Sequence, residues 1–374
     1  CVGALGYVYV GYPLLAWLVG RLSPKAVRAA AFEPTVTVLI TAFNEAASIR
    51  KKIENTIKLD YPTEKLEVLV ASDGSTDGTD DIVREFGGRG VKLFRQEGRV
   101  GKTTTQNNAV RQASGEIILF SDATTTYRED SLKALLPAFA DETVGCVAGR
   151  LVYLDAERSN VGKGARGYWG YETQLKMSES RACSLIGASG CLYAVRRSAY
   201  EPMYAEACSD FLISSLLYRK GLRTVFQPDA ICYEDTNREA GNELSMRVRV
   251  IVQTFTDLWR NRDMMNPLKR GFFAVELISH KLLRYAVPLV LIVLLTSNAV
   301  LAMGSAFYSM TLLIQMTFYL MALGGWITER TGHRLTVLAM PLYFVLANVA
   351  SMVAFYKFLR GERLARWEPI RDPQ

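Results

Sequence analysis

The chain is predicted to fold as an α/β domain on a mostly parallel sheet, carried by membrane-spanning helices, and three observations predict it. Short apolar runs alternate with helical patterns between residues 36 and 122, the rhythm of right-handed βαβ units. Two of these runs end in a carboxylate, Asp73 after LEVLVAS and Asp122 after EIILFS, at the strand edge that faces the ligand crevice of an open α/β sheet. Segments 285–303, 306–327 and 335–356 carry almost no charge, and each is close to the roughly 20 residues that a bilayer crossing needs.

Residues 1–20, CVGALGYVYVGYPLLAWLVG, are apolar and aromatic-rich. They read as a transmembrane helix, clipped at its start; a cleaved signal peptide calls for a basic start and a small-residue cleavage site. Arg21, Lys25 and Arg28 follow at once, so the positive-inside rule places the domain over 33–242 in the cytoplasm. VTVLITAF at 36–43 is a strand rich in β-branched residues, and Ile49, Ile53 and Ile57 mark the helix after it. LEVLVAS forms the second strand, and DGSTDGTDDIVREF turns through Gly74 and Gly78 into the second helix. VKLFRQ, TTTQNNAVRQA and EIILFSDA continue as strand, helix and strand.

Past Asp130 the rhythm loosens. SLKALLPAF is a helix, VGCVAGRLVYL a strand region, GYWGYETQLKMSES an aromatic-rich helix, SDFLISSLLYRKG a helix ended by Gly221, and RTVFQPDAICYE a strand. Within 243–284, the stretches 243–261 and 272–284 mix basic and apolar residues at helical spacing. They are expected to lie at the membrane surface as amphipathic helices, with ordinary core-facing helices as the other reading. A membrane region at 285–356 and a basic tail at 357–374 complete the chain. Three apolar segments after a cytoplasmic domain leave the tail outside, whereas Lys357, Arg360, Arg363 and Arg366 place it inside. The segment 335–356, with Pro341 and Asn348, is therefore the one expected to be re-entrant or to lie on the surface.

The net charge of +7 suits a membrane-facing, phosphate-handling protein, and nothing in it calls for nucleic acid. The six cysteines, at 1, 146, 183, 191, 208 and 232, include no C-x-x-C pair and have no His nearby, which argues for reduced thiols and against zinc. The two histidines, His280 and His333, adjoin apolar segments, so a general base in the soluble domain is expected to be a carboxylate.

Glu45, Asp73 and Asp122 stand at strand ends that one sheet edge presents together. A nucleoside needs acceptors for its base N–H and ribose hydroxyls, and a diphosphate needs a divalent cation on a hard oxygen ligand. Asp73 suits the first task and Asp122 the second. GRVGKTTT at 98–105 mimics a phosphate loop, but position 96, where that motif needs Gly, is Gln. The first strand leads into AFNEAAS without G-x-G-x-x-G, which argues against a dinucleotide-dependent oxidoreductase.

TAFNE at 41–45, SDGSTDGT at 72–79, GK at 101–102 and SDAT at 121–124 together resemble the family 2 glycosyltransferases of GT-A fold. The resemblance runs from about residue 35 to about residue 255, and the flanking segments are similar to those of the hyaluronan, chitin-oligosaccharide and cellulose synthase branch. It implies that Thr41, Phe43 and Glu45 line the uridine pocket of a UDP-sugar together with Asp73. It also implies that Lys102 approaches the nucleotide and that Asp122 coordinates Mg²⁺ or Mn²⁺ on the diphosphate. Thr124 occupies the place of the family's frequent second acid. A hydroxyl is a poorer metal ligand than a carboxylate, so weak, substrate-dependent metal binding is expected.

By the same resemblance Asp210, in ACSDFLISSLL, is the catalytic base. The usual Glu-Asp pair reads Ser209 and Asp210, and helix N-capping is the other reading of Asp210. In GASGCLYAVRR at 187–197, Gly187 and Gly190 would let backbone approach the acceptor sugar, while Trp169, flanked by Tyr168 and Tyr171, would stack on it. The Q-x-x-R-W motif of processive synthases falls on Met246–Val250, where an Arg survives at 249. Arg249 or Arg247 would neutralise the leaving diphosphate. The missing Gln and Trp weigh against processive polymerisation, unless Trp367 in the tail folds back to substitute.

The implied protein is an inverting, metal-dependent transferase of the inner (plasma) membrane, moving a sugar from a UDP-sugar to a polysaccharide or lipid-linked acceptor, with polymer synthesis and translocation as an extension. Transfer of a single sugar to a lipid carrier is the alternative. An inactive scaffold or transporter subunit is the reading from another class, and the retention of Asp73, Asp122 and Asp210 speaks against it.

Overall fold

The computed structural model describes residues 1–154, 159–235, 240–330 and 335–366. Strand β1 (Val36–Ala42) is buried along its whole length. Val36, Val38, Ile40 and Ala42 enter one apolar cluster with Ile49 and Ile53, and Leu39 enters another with Leu69, Ile118 and Phe120. A strand covered on both faces cannot alternate with polar residues, which is why VTVLI reads as one continuous apolar run. Helix α2 (Ile49–Ile57) leads to β2 (Leu66–Ser72), α3 (Thr79–Glu85) to β3 (Val91–Arg95), and α4 (Lys102–Val110) to β4 (Ile117–Asp122).

The second half adds β5 (Thr126–Tyr127), α5 (Ser131–Leu135), β6 (Val144–Tyr153), α6 (Asn160–Ala182), β7 (Tyr193–Arg196), α7 (Ser209–Arg219), β8 (Arg223–Glu234) and α8 (Ala240–Arg260). Among the described residues, the eight strands form one sheet in the order β3-β2-β1-β4-β7-β6-β8-β5. The pairs β3/β2, β2/β1, β1/β4 and β6/β8 are parallel, whereas β7 runs antiparallel to both β4 and β6. Register aligns Ala42 with Ser72 and Thr41 with Asp122. The carboxyl ends of the three central strands therefore open on one crevice, where chain order reverses around β1.

Among the described residues, four apolar helices are long enough to cross a membrane: α1 (Val2–Leu22), α9 (Phe272–Ala302), α10 (Ala306–Arg330) and α11 (Thr336–Leu359). Helix α6 is their platform. Tyr12 of α1 donates to Glu179, Gly20 of α1 lies against the Ser178 carbonyl, and Arg284 and His280 of α9 meet Glu172 and Glu179. Residues 272–284 run without a break into the apolar part of α9, and α8 packs along α11 through Val248, Ile251, Val252 and Phe255.

Helix α11 differs from the other three. Half of it is buried in the protein, and both of its ends meet the α/β domain. At its start Lys163 of α6 donates to Thr336 (2.9 Å). Beyond its end Gln253 of α8 donates to the Leu364 carbonyl (2.7 Å). Tyr343 in its middle lies against Gly164, where a Cβ would approach to 2.5 Å. The described part of the tail thus shares a side with the α/β domain. All six cysteines are unpaired thiols. His280 is buried between two carboxylates of α6, and His333 lies outside the described residues.

Candidate active site

Three loops meet at the crevice. The loop after β1 is knitted to the loop after β2: Asn44, in the left-handed region at φ 54, accepts from the Thr76 amide (2.8 Å), and its own amide and that of Glu45 donate to Ser75 and Thr79. The Glu45 carbonyl accepts from Ser48 and Ile49 to open α2. Phe43 lies beneath the Arg99 guanidinium, 4.0 Å from its ring centre, and Thr41 accepts from Gln106 (3.3 Å).

Asp73 is completely buried. Its carboxylate accepts from the amides of Val100 (2.8 Å) and Gly101 (3.0 Å) and from the Thr105 hydroxyl (2.9 Å). It therefore ties the loop before α4 to the end of β2. The next residue, Gly74, has φ +72, and a Cβ there would come 2.7 Å from the Gly98 carbonyl, so only Gly lets the two loops touch.

This tether fixes the start of α4, where Lys102 forms an ion pair with Asp122. Each side chain keeps 31% of its surface exposed, so the pair stands at the crevice mouth. Burial pushes the Lys102 ammonium down, but Asp122 and Asp210 outweigh it and leave the group above its ordinary value. Thr124, two residues past Asp122, is exposed.

Asp210 arrives from the far half of the sheet. It lies in the first turn of α7, whose N-cap is Cys208 with no side-chain capping bond; the Cys208 thiol donates to its carboxylate (3.1 Å). Its carbonyl accepts from the Ala188 amide (2.8 Å). Both acids lie over Gly190: a Cβ there would sit 3.2 Å from an Asp210 oxygen and 3.7 Å from an Asp122 oxygen. At Gly187 a Cβ would meet the Phe211 ring at 3.0 Å. Lys176 donates to Ser189 (2.6 Å) and lies 5.2 Å from the Trp169 ring centre, so Trp169 adjoins this segment from α6.

The two arginines of α8 part company. Arg249 faces the centre: burial lowers its guanidinium, opposed by the fields of Cys208, Asp122 and Asp210. Arg247 donates to Glu243 (2.8 Å) and lies 4.6 Å from the Tyr343 ring centre, on the side of α11. A Cβ on Gly101 would collide with the Ala365 carbonyl, so the tail reaches the loop before α4. Trp367 lies outside the described residues.

Several residues in this group went unread in the sequence. Glu234 closes β8, and burial, then Asp122, pushes its carboxyl up to about 8. The signal that found Asp73 and Asp122, an acid ending an apolar strand, was present in RTVFQPDAICYE. Asp257 of α8 accepts from the Cys208 amide (3.0 Å) and from Tyr204 and so braces the residue that precedes α7; a lone Asp in a helix carries no such signal.

Lys52 of α2 lies 3.4 Å from the Tyr127 ring centre and donates to Thr125 (3.3 Å) behind Asp122. Burial pushes it from 10.5 down to about 7. In the unfolded chain the amine keeps its proton up to 10.5, so between about 7 and 10.5 the unfolded state binds more protons and stability rises with pH. Lys52→Met is expected to flatten this slope by up to about 1.4 kcal/mol per pH unit. Melting curves across that range check it, and an unchanged slope refutes it.

No group of three or more His, Cys, Asp or Glu side chains suited to a metal ion occurs among the described residues. Asp122 nevertheless offers hard oxygens to a positive charge at the crevice mouth, where the Lys102 ammonium now sits. That donor set fits a divalent cation completed by phosphate oxygens rather than one held by protein alone.

Comparison with known proteins agrees with the fold. Residues 37–203 match the family model described as Glycosyl transferase family 2. The probable glycosyltransferase YdaM of Bacillus subtilis is 27% identical over 216 residues, 54% of this chain and 50% of its own length. The poly-beta-1,6-N-acetyl-D-glucosamine synthase of Staphylococcus aureus is 27% identical over 222 residues, 57% of this chain and 53% of its own. The beta-monoglucosyldiacylglycerol synthase of Nostoc is 33% identical over 135 residues, 35% and 29%. The chain spans about half the length of the first two of these curated relatives. Among solved structures, the mannosyltransferase PcManGT from Pyrobaculum calidifontis, in complex with GDP-Man and Mn²⁺, superposes with a TM-score of 0.73 at 24% identity. It covers 97% of this chain and 98% of its own, so the shared fold includes the apolar helices. The chain thus carries a family 2 glycosyltransferase domain of GT-A fold over residues 37–203.

Proposed function

We propose that the protein transfers a hexose, with inversion, from a UDP-sugar to a lipid-linked or polysaccharide acceptor held at the membrane. The observation that carries this reading is the meeting of Asp122 and Asp210 over Gly190, with Lys102 and Arg249 in the field of both. One carboxylate then faces the diphosphate and the other faces the acceptor. Phe43, Glu45, Thr41 and Asp73 form the nucleoside end, Asp73 through its hold on the 98–101 loop.

Asp210 takes the proton of the acceptor hydroxyl as its oxygen attacks the anomeric carbon from the face opposite the diphosphate. The bond from that carbon to the diphosphate oxygen breaks, and Lys102 and Arg249 receive the charge that develops there. Asp122 would hold Mg²⁺ or Mn²⁺, which when bound neutralises the diphosphate. Gly187 and Gly190 leave the acceptor sugar room beside Asp210, with Trp169 as its stacking face.

In the membrane, α1, α9 and α10 are the crossings of this reading, and α11 lies along the domain. An odd number of crossings after an external start puts domain and tail together in the cytoplasm, in accord with Lys357, Arg360 and Arg363. Detergent-solubilised protein incubated with a panel of UDP-sugars and Mn²⁺, in native lipid extract, is expected to release UDP with one donor. Product length then separates single transfer from polymerisation. No release with any donor rules out the UDP-sugar reading.

A further inference from the structure

The peptide unit between Ala207 and Cys208, just before Asp210 in the chain, is held from both sides. Thr103 of α4, the neighbour of Lys102, donates to the Ala207 carbonyl (2.7 Å), and Asp257 of α8 accepts from the Cys208 amide (3.0 Å). Both holders are buried, at 3% and 1% exposure. Cys208 gives α7 no side-chain capping bond, so these two bonds from neighbouring helices fix where α7 starts, and with it the place of Asp210.

Asp257 is itself braced. Its other oxygen accepts from Tyr204, whose ring lies beneath the Arg260 guanidinium, 4.3 Å from the ring centre, and its carbonyl accepts from the Asn261 amide (2.9 Å). Cys208, Phe211 and Leu258 share one apolar cluster at this joint. A carboxyl in such a place is costly: burial pushes it up to about 8, and the nearby Asp210 acts in the same direction. An apolar side chain of similar size would pack here without that cost, so the worth of the residue lies in the amide it holds.

The hold passes to Asp210 through sulfur. The Cys208 thiol donates to the Asp210 carboxylate (3.1 Å). Burial, then the Asp210 and Asp257 carboxylates, push that thiol up, so it keeps its proton and remains a donor. The Asp210 carbonyl accepts from the Ala188 amide (2.8 Å), which ties it to the segment carrying Gly187 and Gly190. We propose that Asp257 and Cys208 are positioning residues of the transfer: Asp257 fixes the Ala207–Cys208 peptide against α4, and the Cys208 thiol then sets Asp210 over Gly190. The inference rests on the transferase reading above, in which Asp210 is the base.

The test uses the full chain and steady-state turnover of the UDP-sugar that supports transfer, with kcat and KM read separately. Asp257→Ala and Cys208→Ala are each expected to lower kcat by about threefold to tenfold, the worth of one hydrogen bond, and to leave KM for the donor unchanged. Asp257→Asn keeps an oxygen for the Cys208 amide and Cys208→Ser keeps a donor for Asp210, and both should recover most of the loss. In an Asp210→Asn background neither alanine substitution should lower the residual turnover further, because the group it positions is gone. A merely structural role predicts an equal loss in both backgrounds, and that result overturns the proposal. So does a rise in donor KM with kcat unchanged, or wild-type kcat in Cys208→Ala. That last variant removes only a thiol and leaves the buried amide paired, so it decides the matter even if Asp257→Ala does not fold. A wild-type chain that turns over no UDP-sugar sinks the transferase reading, and this assignment with it; an active wild type matched by its variants sinks the assignment alone.

Discussion

Asp210→Asn is expected to lower sugar transfer by about a hundredfold to ten-thousandfold, the range that a positioned general base supplies, and to leave nucleotide affinity near wild type. Asn is isosteric with Asp, so the place beside Gly190 and the contact with the Cys208 thiol survive, and only the capacity to accept a proton is lost. The capping alternative makes a different prediction. A cap acts on helix stability, worth about 0.5–2 kcal/mol, and Asn caps as well as Asp. If Asp210→Asn transfers normally, the carboxylate is structural and the base lies elsewhere, with Glu234 the next candidate by position. UDP binding and turnover measured on the same preparation separate these outcomes.

Asp122→Asn is expected to act on the donor. Removing the carboxylate takes away the charged oxygen that Asp122 would offer a divalent cation at the crevice mouth and leaves Lys102 without this partner. Transfer should fall by about a hundredfold to a thousandfold, as when a preorganised charge stabiliser is removed, and stimulation by Mn²⁺ should disappear. The two acids meet over one glycine, yet their variants should part: Asp210→Asn keeps metal-dependent nucleotide binding and Asp122→Asn loses it. Undiminished Mn²⁺ stimulation of Asp122→Asn would falsify its assignment as the metal ligand.

Much of the fold is legible in the chain because its signals are local. Continuous apolar runs such as VTVLI and EIILF mark strands covered on both faces, and the turn residues between them mark where helices start. Glu45, Asp73 and Asp122 follow from the same logic, since strand ends are visible one strand at a time. Glu234 was legible by that rule too, and was passed over because β8 lies outside the regular alternation.

Asp73 shows where local logic stops. A buried carboxylate at a strand end suggests a ligand contact, but its amide and hydroxyl partners at Val100, Gly101 and Thr105 show that it also holds the loop carrying Lys102. The difference between Arg247 and Arg249 is of the same kind. Two residues apart on a helix, they point about 200° apart around its axis, and only the packing of α8 against α7 and α11 decides which one faces Asp122 and Asp210 and which faces Tyr343.

By itself the sequence determined the parallel half of the sheet, the acids at its edge and the four apolar helices, because periodicity and strand ends are properties of neighbouring residues. Tertiary structure alone decided that Asp210 comes to meet Asp122 over Gly190, that α11 lies along the domain and brings the tail to Gly101, and that α8, α10 and α11 leave a groove between them. Each of these is a meeting of segments far apart in the chain, set by which apolar faces bury one another, and no local pattern records that choice.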